Sequence, residues 1–139
     1  MSSRKTILIV DDIPLMRTIL GRYVKSIASK ILVEEGGATG VDVVEAHCGE
    51  AALERLRRED VDVVFLDLMM PGMDGLTLLS IKQKDPDISS VPVVVCSARG
   101  EKELIARAHD LGALAYIVKP FTLQSVEEKF RQALAAPRE

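Results

Sequence analysis

Val61-Asp62-Val63-Val64-Phe65-Leu66 runs directly into Asp67, and Asp67 into Leu68-Met69-Met70-Pro71-Gly72-Met73-Asp74-Gly75. The apolar run reads as a strand buried on both faces, and the Pro- and Gly-bearing stretch after it reads as a loop. A carboxylate at the C-terminal end of such a strand lies on the edge of an open α/β sheet where ligands bind. Asp11 and Asp12 hold the same position after another apolar run, Ile7-Leu8-Ile9-Val10. If the two strands are neighbours, three acidic groups converge at one sheet edge.

Working outward from these runs, apolar segments alternate with helical patterns along the whole chain. Strands are predicted at Thr6–Val10, Val41–Ala46, Val61–Leu66, Val91–Cys96 and Leu114–Val118. Amphipathic helices are predicted at about Pro14–Val33, Gly49–Arg58, Gly75–Gln83, Glu101–Leu111 and Leu123–Ala135. Five βα units in series imply parallel strands joined by right-handed crossovers, with helices on both faces. The expected fold is therefore a flavodoxin-like (βα)5 doubly wound sheet in the order 2-1-3-4-5, an order taken from that fold type rather than from the residues. The 139 residues are expected to form a single domain, with a long first helix and loop at about 14–40 and a short tail at about 136–139.

The first helix is long. From Pro14, the positions Met16, Ile19, Leu20, Tyr23, Val24, Ile27, Ile31 and Leu32 keep helical spacing. Two readings stand for its far end: either Ile27, Ile31 and Leu32 fold over the sheet's lower edge, or they form an apolar stripe open to a partner. Glu34 to Gly40 then reads as a loop.

Hydrophobic residues make up 47% of the chain, which favours a packed core over disorder. A net charge of −3, with Lys and Arg scattered, leaves no electrostatic footprint for nucleic acid. Arg55, Arg57 and Arg58 read as a solvated helix face. No apolar run approaches the roughly 20 residues of a membrane helix, and the N-terminus reaches Asp11 too soon for a signal peptide. A cytoplasmic location follows as an expectation, with Cys48 and Cys96 as buried free thiols. His47 and His109 lack ligand spacing and read as structural or surface residues.

Three carboxylates crowded together repel by about 4 kcal/mol per pair at 4 Å and an effective dielectric near 20. They can share a pocket only if some are protonated or a cation sits among them. Hard oxygen donors around a partly hydrated site suit magnesium, Mg²⁺, which leaves room for phosphate oxygens. A metal there would neutralise an incoming phosphoryl group while a free carboxylate oxygen attacks phosphorus. Ser97, after Val93-Val94-Val95-Cys96, adds a hydroxyl; Lys119, between Tyr116-Ile117-Val118 and Pro120, adds a cation. Four of five strand ends thus carry groups suited to one small dianion.

In Asp11-Asp12, Asp67 with Met70-Pro71 and Asp74-Gly75, Ser97-Ala98, and Lys119-Pro120-Phe121, the chain resembles the receiver domains of two-component response regulators. The resemblance implies that Asp67 is the phosphoacceptor for a sensor histidine kinase or histidine phosphotransfer protein. It implies that Asp12 binds Mg²⁺ directly and Asp11 directly or through water, with Asp67 and the Met69 carbonyl as further ligands. Lys119 would pair with Asp67 at rest and with the phosphoryl group afterwards, and Ser97 would bond a phosphoryl oxygen. Tyr116 would turn inward as Ser97 moves, reshaping the surface of the fourth helix, fifth strand and fifth helix for a downstream protein. Homodimerisation is left open. Lys119-Pro120 matches a bond that is usually cis in the family.

The departures are specific. Ser97 stands where threonine is commoner, and Met69 and Arg99 occupy positions that tune acyl-phosphate lifetime. The long first helix sits where kinase-side partners dock. The resemblance implies self-catalysed phosphotransfer and autodephosphorylation rather than an enzyme, with signalling through protein contacts. A haloacid-dehalogenase-like phosphatase would need an acid/base residue two positions after Asp67, where Met69 cannot transfer a proton.

Overall fold

A computed structural model describes residues 4–35 and 40–137, and within that range the side chains of all but Leu32, Val33 and Glu35. The elements run β1 (Lys5–Val10), α1 (Pro14–Glu35), β2 (Val41–Ala46), α2 (Gly49–Arg58), β3 (Val63–Leu66), α3 (Gly75–Gln83), β4 (Val93–Ser97), α4 (Lys102–Asp110), β5 (Ala115–Val118) and α5 (Leu123–Ala135). All strand pairs are parallel, and the order is β2-β1-β3-β4-β5, as expected.

Strand alternation divides the core in two. On one face, Leu8, Val10, Val64, Leu66, Val93 and Val95 pack under α2, α3 and α4 through Leu53, Leu56, Leu78, Leu79 and Ala108. On the other, Ile7, Ile9, Val63, Phe65, Val94 and Cys96 meet Leu20, Val24 and Ile27 of α1 and Val126 and Phe130 of α5. Every residue of β3 is buried because it lies between two neighbours and beneath two helix layers.

Several element ends differ from the sequence reading, each for a local reason. Val61 and Asp62 fall outside β3: the Asp62 amide still donates to the Thr6 carbonyl at 2.8 Å, but the Thr6 amide donates to the Asp62 carboxylate at 2.8 Å rather than to a backbone carbonyl. β4 starts at Val93 because Pro92 has no amide to donate, and it extends to Ser97, opposite Val118. At the start of α3, Asp74 caps the helix by accepting from the Thr77 amide at 2.8 Å. Gly75 is required beside it, since a Cβ there would lie 2.6 Å from Leu68 Cα. Thr122 and Ser125 form a reciprocal capping box at the start of α5.

The far end of α1 resolves the two readings of its apolar stripe. The helix continues through Glu34, which was read as loop; residues 36–39 lie outside the described residues. Ile27 is buried and Ile31 packs against the α1–α5 side of the core, so both serve packing rather than an open surface. The side chain of Leu32 lies outside the described residues. Ion pairs tie the same turns to α5: Lys30 to Glu127 at 3.0 Å and Glu34 to Arg131 at 2.7 Å. Ile27→Ala is expected to lower unfolding free energy by about 2–5 kcal/mol, and Ile31→Glu to lower it as well. Urea midpoints check this; an unchanged midpoint for Ile31→Glu would restore the partner-surface reading.

The remaining charged and sulfur groups are unexceptional. Arg55, Arg57 and Arg58 pair with Glu59, Asp85 and Glu54, which confirms a solvated helix face. Both cysteines are free; Cys96 is buried as expected, and Cys48 only half-buried. Burial pushes the Cys96 thiol up to about 12, so it stays protonated. His47 and His109 are exposed. Among the described residues, no helix is long and apolar enough to cross a membrane.

Candidate functional site

Asp11, Asp67 and Lys119 are each the first residue past a strand and Ser97 is the last in one, and the backbone ladder still reaches them; Asp12 lies one residue further on. Asp11 donates its amide to the Ala46 carbonyl (3.2 Å), Asp67 to Val10 (2.9 Å) and Lys119 to Ser97 (2.7 Å). Their Cα positions are therefore as rigid as the sheet. Asp11 and Asp67 are each 4% exposed and Ser97 is fully buried, while Asp12 is half-buried.

The side chains converge. Asp11, Asp12 and Asp67 each place a carboxylate oxygen within 4.8 Å of the others. Asp67 Oδ1 accepts from the Met69 amide at 3.0 Å, and Asp11 Oδ1 accepts from the Ile13 amide at 2.9 Å. These two tight turns leave both Oδ2 atoms facing Lys119. The ammonium lies 3.0 Å from Asp11 Oδ2 and 3.5 Å from Asp67 Oδ2. The shorter contact is to Asp11, where the resemblance implied Asp67. Lys119 precedes a cis peptide bond to Pro120, as the resemblance implied.

Electrostatics follow from burial and these pairings. Burial raises the Asp67 carboxyl above its ordinary range; the Asp11 charge adds to this, while the Met69 amide and Lys119 oppose it. For Lys119, burial works to lower the pKa, but the Asp11 hydrogen bond and the charges of Asp67 and Asp11 together raise it. Three carboxylates against one ammonium leave the pocket with two surplus negative charges if all are ionised. The donor set is entirely oxygen, and its surplus matches one divalent cation. These residues fit Mg²⁺.

The outer residues surround this core. Ser97 Oγ accepts from the Arg99 amide at 3.2 Å, and the Tyr116 hydroxyl donates to the Arg99 carbonyl at 2.6 Å. The backbone of Arg99 is thus held at both ends by the two residues expected to switch. Its guanidinium pairs with Glu101 at 3.1 Å. Met69 is exposed, and with Arg99 it lines one open cleft beside Leu76 and Leu104.

This frame carries a clear family signature. The sequence profile of the response regulator receiver domain matches residues 7–131. The chain belongs to that family. The receiver is 37% identical over 123 residues to chemotaxis protein CheY-3 of Vibrio cholerae, covering 88% of this chain and 86% of that protein. It is 36% identical over 129 residues to chemotaxis protein CheY of Bacillus subtilis, covering 92% and 96%. Among solved structures, a response regulator from Thermotoga maritima superposes with a TM-score of 0.75 at 28% identity, covering 96% of this chain and 99% of that one. CheY4 of Vibrio cholerae superposes with a TM-score of 0.80 at 21% identity, covering 94% and 99%, and shares the fold. The protein is thus a CheY-type receiver.

One part of the receiver's pocket escaped the sequence reading. Arg17, in the first turn of α1, donates from Nη1 to the Asp11 carbonyl at 2.7 Å and from Nε to Glu45 Oε1 at 2.7 Å. No local pattern marks it. Its partners lie six residues before it and on another strand, so only the placing of β2 beside β1 reveals the contact.

Proposed function

We propose that this receiver accepts a phosphoryl group on Asp67 from the phosphohistidine of a sensor histidine kinase or histidine phosphotransfer protein. A carboxylate oxygen of Asp67 forms the new P–O bond as the P–N bond to imidazole breaks. The observation that carries this reading is the grouping of Asp67 with Asp11 and Asp12 within 4.8 Å, beside an ammonium 3.5 Å away.

Asp12, Asp67 and the Met69 carbonyl would hold Mg²⁺. Asp11, whose carboxylate oxygens are engaged by the Ile13 amide and Lys119, would hold it through water. When bound, the metal supplies positive charge that lets a dianion approach an acidic pocket. Lys119 meets the phosphoryl oxygens as a second positive charge, and Ser97 offers its hydroxyl as a donor. Exposed Met69 and the Arg99 side chain stand in the adjoining cleft, where they govern access of water and so the lifetime of the acyl phosphate.

The bond from Ser97 to the Arg99 amide supports a switching role. A phosphoryl group that captures the Ser97 hydroxyl changes its bond to Arg99, and the Tyr116 hydroxyl shares that same residue. Tyr116 then turns, and the face formed by α4, β5 and α5 changes for a downstream protein. In this reading the chain is one receiver domain in the cytoplasm, signalling through protein contacts rather than nucleic acid or membrane.

Incubation of the protein with Mg²⁺ and labelled acetyl phosphate tests the reading. The expected result is stoichiometric incorporation, stable to acid and labile to base, that EDTA prevents. Steady release of phosphate over many turnovers would make the protein a phosphatase, and no incorporation would leave a scaffold.

A further inference from the structure

We infer that Arg17 is a positioning residue for the metal-binding carboxylates. The inference rests on the reading that the acidic cluster holds a divalent cation, and it concerns how the chain keeps Asp12 in place.

Asp11 is tied down at every polar atom. Its amide bonds Ala46, its two carboxylate oxygens accept from Ile13 and Lys119, and its carbonyl accepts from Arg17. Asp67 is likewise engaged, by Met69 and Lys119. Asp12 differs: among the described residues, its carboxylate has no hydrogen bond or ion pair. Its position is set by its backbone alone. The Asp11 carbonyl belongs to the peptide unit that joins Asp11 to Asp12, and that unit is planar. A donor gripping this oxygen therefore fixes the plane from which the Asp12 side chain departs.

Arg17 is built to be that donor. Its side chain is 15% exposed, and its guanidinium is anchored by Glu45 near the end of β2. The fork thus spans β2 and the turn after β1, using two of its nitrogens at once. A single ammonium lacks that geometry. Groups that orient metal ligands from behind change metal affinity by about 10- to 100-fold when removed.

Charge and position make opposite predictions here, which permits a clean test. Arg17 is a cation near an anionic site, so by charge alone its removal would tighten Mg²⁺ binding. By position, its removal loosens Asp12 and weakens binding. Titration of the full chain with Mg²⁺, followed through the backbone amide resonances of Asp12 and Met69, measures the affinity and shows that the fold persists. Arg17→Ala is expected to weaken Mg²⁺ by about 10-fold. Its labelling rate with acetyl phosphate should fall at low Mg²⁺ and return to the parent's value at saturation. Arg17→Lys, which keeps the charge but cannot bridge both acceptors, should weaken affinity in the same direction by a smaller factor. It also serves if the alanine variant does not fold.

Equal or tighter Mg²⁺ binding in either variant would overturn the inference. So would a labelling rate that stays depressed at saturating Mg²⁺, because that marks general damage to the site. If the parent itself shows no saturable shifts at these amides, the metal reading fails first and this inference falls with it.

Discussion

Replacing Asp67 with Asn should give a folded protein that takes up no label from acetyl phosphate and, without Mg²⁺ at pH 7, melts at a higher temperature than its parent. Loss of labelling follows because an amide oxygen cannot form the acyl phosphate. The gain in stability follows from linkage. Burial, reinforced by the Asp11 charge, raises the Asp67 carboxyl above its ordinary pKa. A carboxyl raised in this way stabilises the fold fully below its unfolded pKa, and that contribution is lost as pH rises through the folded value. At pH 7 the ionised Asp67 is therefore a net cost that Asn removes. The advantage of the variant should shrink as pH falls into the carboxylate range. Mg²⁺ should stabilise the parent more than the variant, since a ligand that binds only the native state shifts melting by mass action. Melting curves at pH 7 and pH 4, with and without Mg²⁺, check each part. A labelled or less stable Asn variant contradicts the proposed role.

The second large effect belongs to Lys119. Lys119→Met removes the positive charge that lies 3.0 Å from Asp11 and 3.5 Å from Asp67, leaving two buried carboxylates without their cation. Breaking a buried pair from one side costs about 3–5 kcal/mol, so the metal-free variant should lose about 3 kcal/mol at pH 7. The sign with pH is the same as for Asp67, but the range is alkaline rather than acidic. The raised Lys119 pKa means its contribution is complete below the ordinary lysine value and is lost only as pH rises through the folded one. Parent and variant should thus differ most across neutral pH and converge under alkaline conditions, and the gap should also narrow in acid as the Asp67 carboxylate protonates. Mg²⁺ should restore much of the stability by neutralising the carboxylates. It should not restore the rate, because the phosphoryl oxygens still lack an ammonium partner, and labelling should stay about 10²-fold slower. Urea midpoints and labelling rates at saturating Mg²⁺ separate the two effects. A variant as stable as its parent would mean that the ammonium contributes nothing to holding the pocket together.

Much of this pocket is legible in the sequence. Asp11, Asp12, Asp67, Ser97 and Lys119 each follow or end an apolar run, and such runs in a βα series place their ends on one edge. Four helix starts matched the reading to the residue: Pro14, Gly49, Gly75 and Leu123. Elements were less well bounded where a side chain takes one of the ladder bonds, as at Asp62, or a proline interrupts them, as at Pro92. Glu34 was read as loop with the glycine-bearing stretch that follows it; its partner Arg131 lies 97 residues away.

Apolar periodicity and the polar residues that interrupt it determined the alternation of strands and helices and the placing of Asp11, Asp12, Asp67, Ser97 and Lys119 at or just past strand ends, since both depend on a short local repeat. The pairing within the site was decided only by the folded chain. Lys119 bonds Asp11 across 108 residues, Arg17 grips the Asp11 carbonyl from a helix, and Ile31 packs against the core that α1 and α5 share. A hydrogen bond depends on separations of about 3 Å and on angle, and no spacing along a sequence carries that information.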